Sequence, residues 1–398
     1  MKLSDLNTQL SSITLYKKVL EEKVLKKLIN FLRLPQNAED FIKVQGYCDF
    51  VSALYDEGCD LGNYLENALR CDDNVYVRRF SMEKEISPVM ENCFKEELKI
   101  FSALTKIKAA DLKVAAGLSA GLPQFENTEK NFSEIIPESL KNSHKFGYGI
   151  YAKYGMFQVS NTGKIVPVLS PDPVTLSSLV GYENERKTVL DNTKGLLKGL
   201  PSANVLLCGD AGTGKSSTVK AVANELRNDG IRLIEIRKDQ LCFLADIMGE
   251  IGDNPLKFII FIDDLSFSDD DSGFSSLKAI LEGSAAAKTP NAVIYATSNR
   301  RHIVKETFSA REGDEIHRRD TIEESISLSA RFGLSILFAK PDKALYLEII
   351  HTLAEQNSIP VTNELDIKAE AFALSRGGRS ARTAGQFINN ILTISQHE

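Results

Sequence analysis

The chain has no tryptophan, five histidines and six cysteines among 398 residues, and these scarcities exclude several classes of protein. Cys48, Cys59, Cys71, Cys93, Cys208 and Cys242 form no CxxC pair, so neither a zinc ribbon nor a disulfide framework is written here; they fit reduced thiols. Long apolar runs are missing too. The most notable, Phe258 to Ile262, is far shorter than the ~20 residues of a membrane-spanning helix, and Met1-Lys2-Leu3-Ser4-Asp5 opens no secretory leader. A cytoplasmic location is therefore expected. Nor is there an excess of positive charge: the net charge is -6, with 22 basic and 23 acidic residues through Asp172 and 26 against 31 beyond it. Neither part is a basic module of the kind that grips nucleic acid wholesale.

What is present is concentrated between Ala203 and Ser217. Val205, Leu206 and Leu207 lead directly into Gly209-Asp210-Ala211-Gly212-Thr213-Gly214-Lys215-Ser216, which is GxxxxGKS in full, with Ser217 next. Glycines at this spacing let backbone N–H groups converge on a triphosphate, and the helix that follows offers its positive N-terminus. Lys215 can reach the β and γ oxygens, while the Ser216 hydroxyl can ligate Mg²⁺. The apolar run before the loop and the helical run Thr218 to Leu226 after it supply the strand and helix that a phosphate cradle needs.

Around this loop the chain divides into three expected domains, 1–170, 171–339 and 340–398. In the first, Leu15, Val19, Leu20, Val24, Leu25, Leu28, Ile29 and Leu32 recur at three- and four-residue steps and predict one amphipathic helix. Similar stripes at Phe41 to Tyr55 and Val89 to Leu104 predict a helical bundle. Val159 and Ile165 to Val168 flank Ser160-Asn161-Thr162-Gly163 and predict a hairpin closing this domain. The interleaved aromatics from Phe146 to Phe157 more simply pack that hairpin than stack bases, because Lys145, Lys153 and Lys164 are too few.

Ser170-Pro171-Asp172-Pro173 then punctuates the chain, and strands alternate with helices. Ile231 to Ile236, Lys257 to Ile262, Ala292 to Ala296 and Leu334 to Phe338 are apolar runs that imply a parallel sheet covered on both faces. After Pro341 three helical segments follow: Ala344 to Gln356, Glu364 to Ser375 and Arg382 to Ile394.

Two strand ends carry chemistry. Lys257-Phe258-Ile259-Ile260-Phe261-Ile262 runs into Asp263 and Asp264, where Asp263 would hold the Mg²⁺ shell and Asp264 would polarise an attacking water. Ala292 to Ala296 runs into Thr297, Ser298 and Asn299; in a parallel sheet that end lies beside the nucleotide, so Asn299 can orient the water or touch the γ-phosphate. Thr297 and Ser298 could do likewise or merely start the loop.

In order and spacing, Leu179-Val180-Gly181-Tyr182, GDAGTGKS, FIIFIDD, ATSN, SLSARFG and GGRSAR resemble the AAA+ ATPases over about Pro173 to His397. More closely, VGYE, DDLSF, LEGS, YATSNRRH, GDEIH and SLSARFGL resemble the bacterial DUF815 group of predicted ATP-binding proteins. The resemblance implies a five-stranded αβα sandwich with a helical lid, and bound ATP and Mg²⁺. It implies Val180, Gly181 and Tyr182 near adenine, Asn299 as sensor 1, Arg331 as an arginine finger that completes a neighbouring subunit's site, and Arg382 as the lid arginine of sensor 2. Two departures accompany it. Asp264 stands where AAA+ proteins usually carry glutamate, and Gly378 and Arg382 are spaced by four where three is usual, which leaves Arg379 as a competitor. No aromatic-hydrophobic-Gly pore loop of threading unfoldases lies between Lys215 and Phe258.

Between Arg300 and Arg331, seven basic residues are matched by seven acidic ones, a pattern of a subunit interface more than of a DNA stripe; His302 and His317 lack partners at metal-ligand spacing. The expected function is an ATP-hydrolysing switch or remodeller that self-associates through its nucleotide interface and acts on a protein partner. The alternative is a regulatory module that holds ATP with little turnover. A phosphate-loop small-molecule kinase suits Arg331 and the lid arginines less well.

Overall fold

The computed structural model describes residues 3–119, 121–265, 272–281, 289–299 and 331–395. Two compact units make up the chain, Met1–Lys153 and Tyr154–Glu398.

The first unit is helical. Leu25, Leu28, Phe50, Leu54, Leu65, Leu98 and Phe101 are at most 1% exposed and form its centre, so most of each periodic stripe faces inward as expected, whereas Phe41, Tyr55 and Val89 at the stripe ends are exposed. The predicted single helix over Leu15 to Leu32 is instead two, Lys17–Glu21 and Lys23–Leu32, because Glu22 is extended at ψ 150. That break lets the Glu22 carboxylate accept the Tyr64 hydroxyl at 2.7 Å. A buried carboxylate fixes the chain just upstream: Glu97 accepts the backbone N–H groups of Thr14, Leu15 and Tyr16 at 2.7, 2.9 and 3.1 Å, which satisfies it without a cation.

In the second unit the chain forms strands β1 (Met156–Val159), β2 (Ile165–Pro167), β3 (Val205–Gly209), β4 (Ile231–Glu235), β5 (Lys257–Ile262), β6 (Ala292–Ser298) and β7 (Leu334–Phe338). They assemble in the order β2-β1-β4-β5-β6-β3-β7. Only β1 and β2 pair antiparallel; every other neighbour is parallel. The sheet thus has seven strands rather than five. The additional two are the hairpin, which the sequence reading attached to the N-terminal domain: Met156, Phe157 and Gln158 pair with Leu233, Ile234 and Glu235.

Burial explains the placement of the middle strands. Phe258 to Ile262 are all 0% exposed, and each such side chain contributes about 1.5–3 kcal/mol on leaving water. A run apolar on both faces has no solvent side and belongs between helical layers. Helices Glu183–Leu197 and Lys215–Glu225 cover one face through Val189, Leu196, Val219 and Val222, which join a core with Leu207, Leu233 and Phe261.

Three helices follow β7: Lys343–Gln356, Asn363–Ser375 and Ala381–Ser395. They bury their own cluster of Tyr346, Ile349, Ile350, Ala369, Phe387 and Ile388. Asp342 and Thr362 cap the first two, each accepting a backbone N–H three residues on, from Leu345 and Leu365.

Candidate functional site

The parallel register brings three strand ends together. Within the sheet β3 lies between β6 and β7, and β5 adjoins β6, so the loops after Gly209, Ile262 and Ser298 open on one edge. A cavity of about 720 Å³ opens there. The phosphate loop from Ala211 to Ser217 lines it together with Asp263, Asp264, Thr297 and Asn299, the linker residues Val180, Gly181 and Tyr182, and Arg382 from the lid.

The loop owes its path to its glycines. Gly209, Gly212 and Gly214 have φ of +144, +78 and +90, a region that side-chain-bearing residues avoid. At Gly209 a Cβ would also stand 2.0 Å from the Phe338 carbonyl oxygen on β7, so the turn out of the strand requires glycine. Thr213 closes the loop by donating its hydroxyl to the Asp210 carbonyl at 2.9 Å.

Lys215 is 5% exposed and fully engaged: its ammonium donates to the carbonyls of Gly209 at 3.0 Å and Asp210 at 2.7 Å, and to Asn299 Oδ1 at 3.0 Å. Burial pulls its pKa below the usual lysine value, and the Asp210 and Asp263 carboxylates offset this only in part. Asn299 passes the connection on, donating Nδ2–H to Asp264 Oδ1 at 2.7 Å.

A second set converges on Asp263. Its Oδ1 accepts the Ser216 hydroxyl and the Thr297 hydroxyl, each at 2.6 Å, and the Asp264 N–H at 3.1 Å. Ser216 and Asp263 therefore offer two hard oxygen ligands at one point beside the cradle, the donor set that Mg²⁺ takes when phosphates and water complete its octahedron. Among the described residues no group of three or more His, Cys, Asp or Glu could hold a metal by itself.

One end of the cavity is set by the linker. Tyr182, at φ +59, donates its hydroxyl to the Ala339 carbonyl at 2.6 Å and packs its ring 5.2 Å from that of Phe338. A Cβ on Gly181 would stand 2.6 Å from Leu345 Cδ1 on the first lid helix, so a larger residue there would push against the lid.

The two competing lid arginines, Arg379 and Arg382, separate clearly. Arg379 makes a bidentate pair with Glu370, at 2.9 and 2.5 Å, within the lid. Arg382 lines the cavity, and its backbone N–H donates to the Gly212 carbonyl at 3.2 Å. Arg331 is half-buried just before β7 and is not among the residues lining the cavity. It precedes the β7 strand, whose far end at Phe338 is about 13 Å from its start at 3.3 Å per residue. The charged segment after Asn299, with His302 and His317, lies outside the described residues.

Arg186 also lines the cavity, with a side chain 11% exposed and bonded to Glu183 at 2.8 Å; it went unnoticed in the sequence because an arginine one turn into a helix carries no motif. Ile349, Leu353 and Gly385 of the lid enter for the same reason.

A phosphate-loop strand flanked by β6 and β7, an acidic strand end across β6 and three helices after β7 make the phosphate-loop αβα fold with a helical lid that the resemblance to AAA+ proteins implies. The chain belongs to the family described as "Protein of unknown function (DUF815)", whose model matches residues 152–394. Among solved structures it is similar to two mutants of RuvB from Thermotoga maritima. Each is 19% identical, covers 56% of this chain and 67% of its own, and superposes with TM-scores of 0.38 and 0.39. No curated protein matches the chain. No helix among the described residues is long and apolar enough to cross a membrane.

Proposed function

We propose that this chain binds ATP with Mg²⁺ and hydrolyses it, and that the cycle moves the lid so as to switch or remodel a macromolecular partner. The observation that carries this reading is the pair of hydrogen-bonded sets that meet at the cavity, Lys215–Asn299–Asp264 and Ser216–Asp263–Thr297.

The phosphate loop would cradle the β- and γ-phosphates with its N–H groups, and Lys215 would exchange its carbonyl partners for phosphate oxygens. Ser216 and Asp263 would hold the Mg²⁺, which supplies charge neutralisation between the phosphates when bound. Asp264, steadied by Asn299, would accept a proton from the attacking water as the water oxygen bonds to the γ-phosphorus and the bond to the β-phosphate oxygen breaks, releasing ADP and phosphate. Arg382 would reach the phosphates from the lid, and Arg331 the site of a neighbouring copy.

The second reading, an ATP-holding regulatory module with little turnover, is favoured by Asp264 itself: one methylene shorter than glutamate and bonded to Asn299. Single-turnover hydrolysis beside equilibrium ATP binding separates the two. Turnover in the wild type, lost in a folded Lys215→Ala variant, supports the ATPase. Tight binding with no phosphate release supports the regulatory module, and unchanged affinity and turnover in Lys215→Ala removes the phosphate-loop assignment.

A further inference from the structure

Beyond Ile262 the ladder between β5 and β6 ends, yet the next three residues are not left to themselves. All three are clipped to one residue of β6. Thr297 Oγ1 donates to Asp263 Oδ1 at 2.6 Å and accepts the Asp264 N–H at 2.9 Å, and the Thr297 carbonyl accepts the Leu265 N–H at 2.6 Å. Thr297 is 2% exposed, and the register that pairs Ile262 with Ala296 places it directly beside Asp263.

The clip holds an unfavourable conformation. Asp264 has φ +53, a left-handed geometry that costs an L-residue roughly 1–2 kcal/mol, and it persists only where neighbours over-determine it. Here the N–H bond to Thr297 at the amide and the Asn299 bond at the carboxylate fix it at both ends. At Asp263, Oδ1 is taken by the hydroxyls of Ser216 and Thr297 and the Asp264 N–H, which leaves Oδ2 for the metal shell.

We propose that Thr297 is the positioning residue of this site: its single hydroxyl, donor to Asp263 and acceptor from Asp264, sets the metal-side and water-side carboxylates together. The proposal rests on the Mg²⁺-ATP reading above. A hydroxyl is needed because only a group that gives and receives at one atom can bridge a carboxylate and an amide. The β-branch is needed because it holds χ1 in one rotamer, so the hydroxyl stays aimed along that bridge.

Thr297→Val keeps the shape and removes the hydroxyl, whereas Thr297→Ser keeps the hydroxyl and frees the rotamer. For the full chain, binding of a fluorescent ATP analogue is measured in EDTA and across an Mg²⁺ titration, with turnover and melting temperature alongside. Thr297→Val is expected to bind nucleotide in EDTA as the wild type does, to require on the order of 10–100 times more Mg²⁺, as outer-shell partners of metal sites do, and to hydrolyse about 10²-fold more slowly. Thr297→Ser is expected to recover most of both. Should the valine variant not fold, Thr297→Ala carries the same expectation. A wild-type Mg²⁺ requirement in the valine or alanine variant overturns the proposal, as does a loss that tracks the melting temperature and that serine does not rescue. A wild type that binds no ATP, with or without Mg²⁺, overturns the underlying reading and the proposal with it.

Discussion

Lys215 and Asp264 are joined through a single amide: Asn299 accepts from the Lys215 ammonium at 3.0 Å and donates to Asp264 Oδ1 at 2.7 Å. The group proposed to meet the phosphates and the group proposed to meet the water are therefore not independent. On the proposed reading, a Lys215 that turned to a γ-phosphate would loosen its hold on Asn299 as well as on the Gly209 and Asp210 carbonyls, and the constraint on Asp264 would change with it.

Basal hydrolysis is accordingly expected to be slow, since a misplacement of about 1 Å in a positioning group costs on the order of 10²-fold. Asp264→Asn should lower it further with ATP binding retained, and Asn299→Ala should give a loss of similar size through the same carboxylate. Equal turnover in Asp264→Asn and wild type would show that Asp264 does not activate water. In the double variant the losses should fall short of additive, because the two residues act through one contact.

Lys215 gives the site a pH dependence with two opposite signs. Burial lowers its pKa, so the folded chain holds that proton less tightly than the unfolded chain does. Stability is therefore penalised below the lowered pKa, and the penalty lifts as pH rises from there towards the unfolded value. ATP affinity should run the other way, since an anionic ligand needs the ammonium; it is full below the lowered pKa and falls as pH rises through it. Melting temperature and ATP affinity measured between about pH 7 and 10 should diverge in wild type and lose this contribution in Lys215→Met.

The lid arginines should separate by assay. Arg379→Ala breaks a bidentate pair with Glu370 and is expected to lower the melting temperature by a few degrees while ATP affinity stays near wild type. Glu370 has its pKa lowered by Arg379, so the stability this pair contributes is present above the ordinary carboxylate pKa and is lost as pH falls through the lowered one. Arg382→Ala should leave the melting temperature unchanged and reduce turnover about 10-fold or more. The reverse pattern would exchange their roles.

Arg331, on the approach to β7 and outside the cavity's lining, is expected to act in trans. A head-to-tail contact of this kind is heterologous and builds a ring or spiral, with ATP at each junction. Light scattering should show a larger species with ATP and Mg²⁺ than without. Arg331→Ala should reduce turnover by up to about 10³- to 10⁵-fold, as with other trans arginines. Specific activity independent of concentration, in a chain that stays monomeric with ATP, would remove the finger.

The phosphate loop, Asp263, Asp264 and Asn299 could be found in the sequence because each is a short contiguous signal, a glycine spacing or an apolar run that stops at a polar residue. The lid was visible for a similar reason, its helices repeating at three and four residues. In the sequence alone Thr297 reads only as a residue that touches the nucleotide or starts a loop. Its bridging role depends on the β5–β6 register, a pairing across more than thirty residues that leaves no local mark. The break at Glu22 was hidden because the Tyr64 hydroxyl that its carboxylate meets is 42 residues away. Arg379 and Arg382 are told apart by Glu370, which pairs with Arg379, and by the cavity, which Arg382 lines, and neither contact leaves a mark in the sequence.

The hairpin of β1 and β2 is the selvage of the sheet. It occupies β4 along Leu233, Ile234 and Glu235, and β1 keeps those backbone groups from offering themselves to another molecule. A nucleotide core cut at residue 171 would leave that margin open, with the buried Phe258–Ile262 strand only one strand behind it. Such a fragment would look for its missing strand in its own copies and come out of solution as aggregate, whereas one beginning at 154 would carry its own hem.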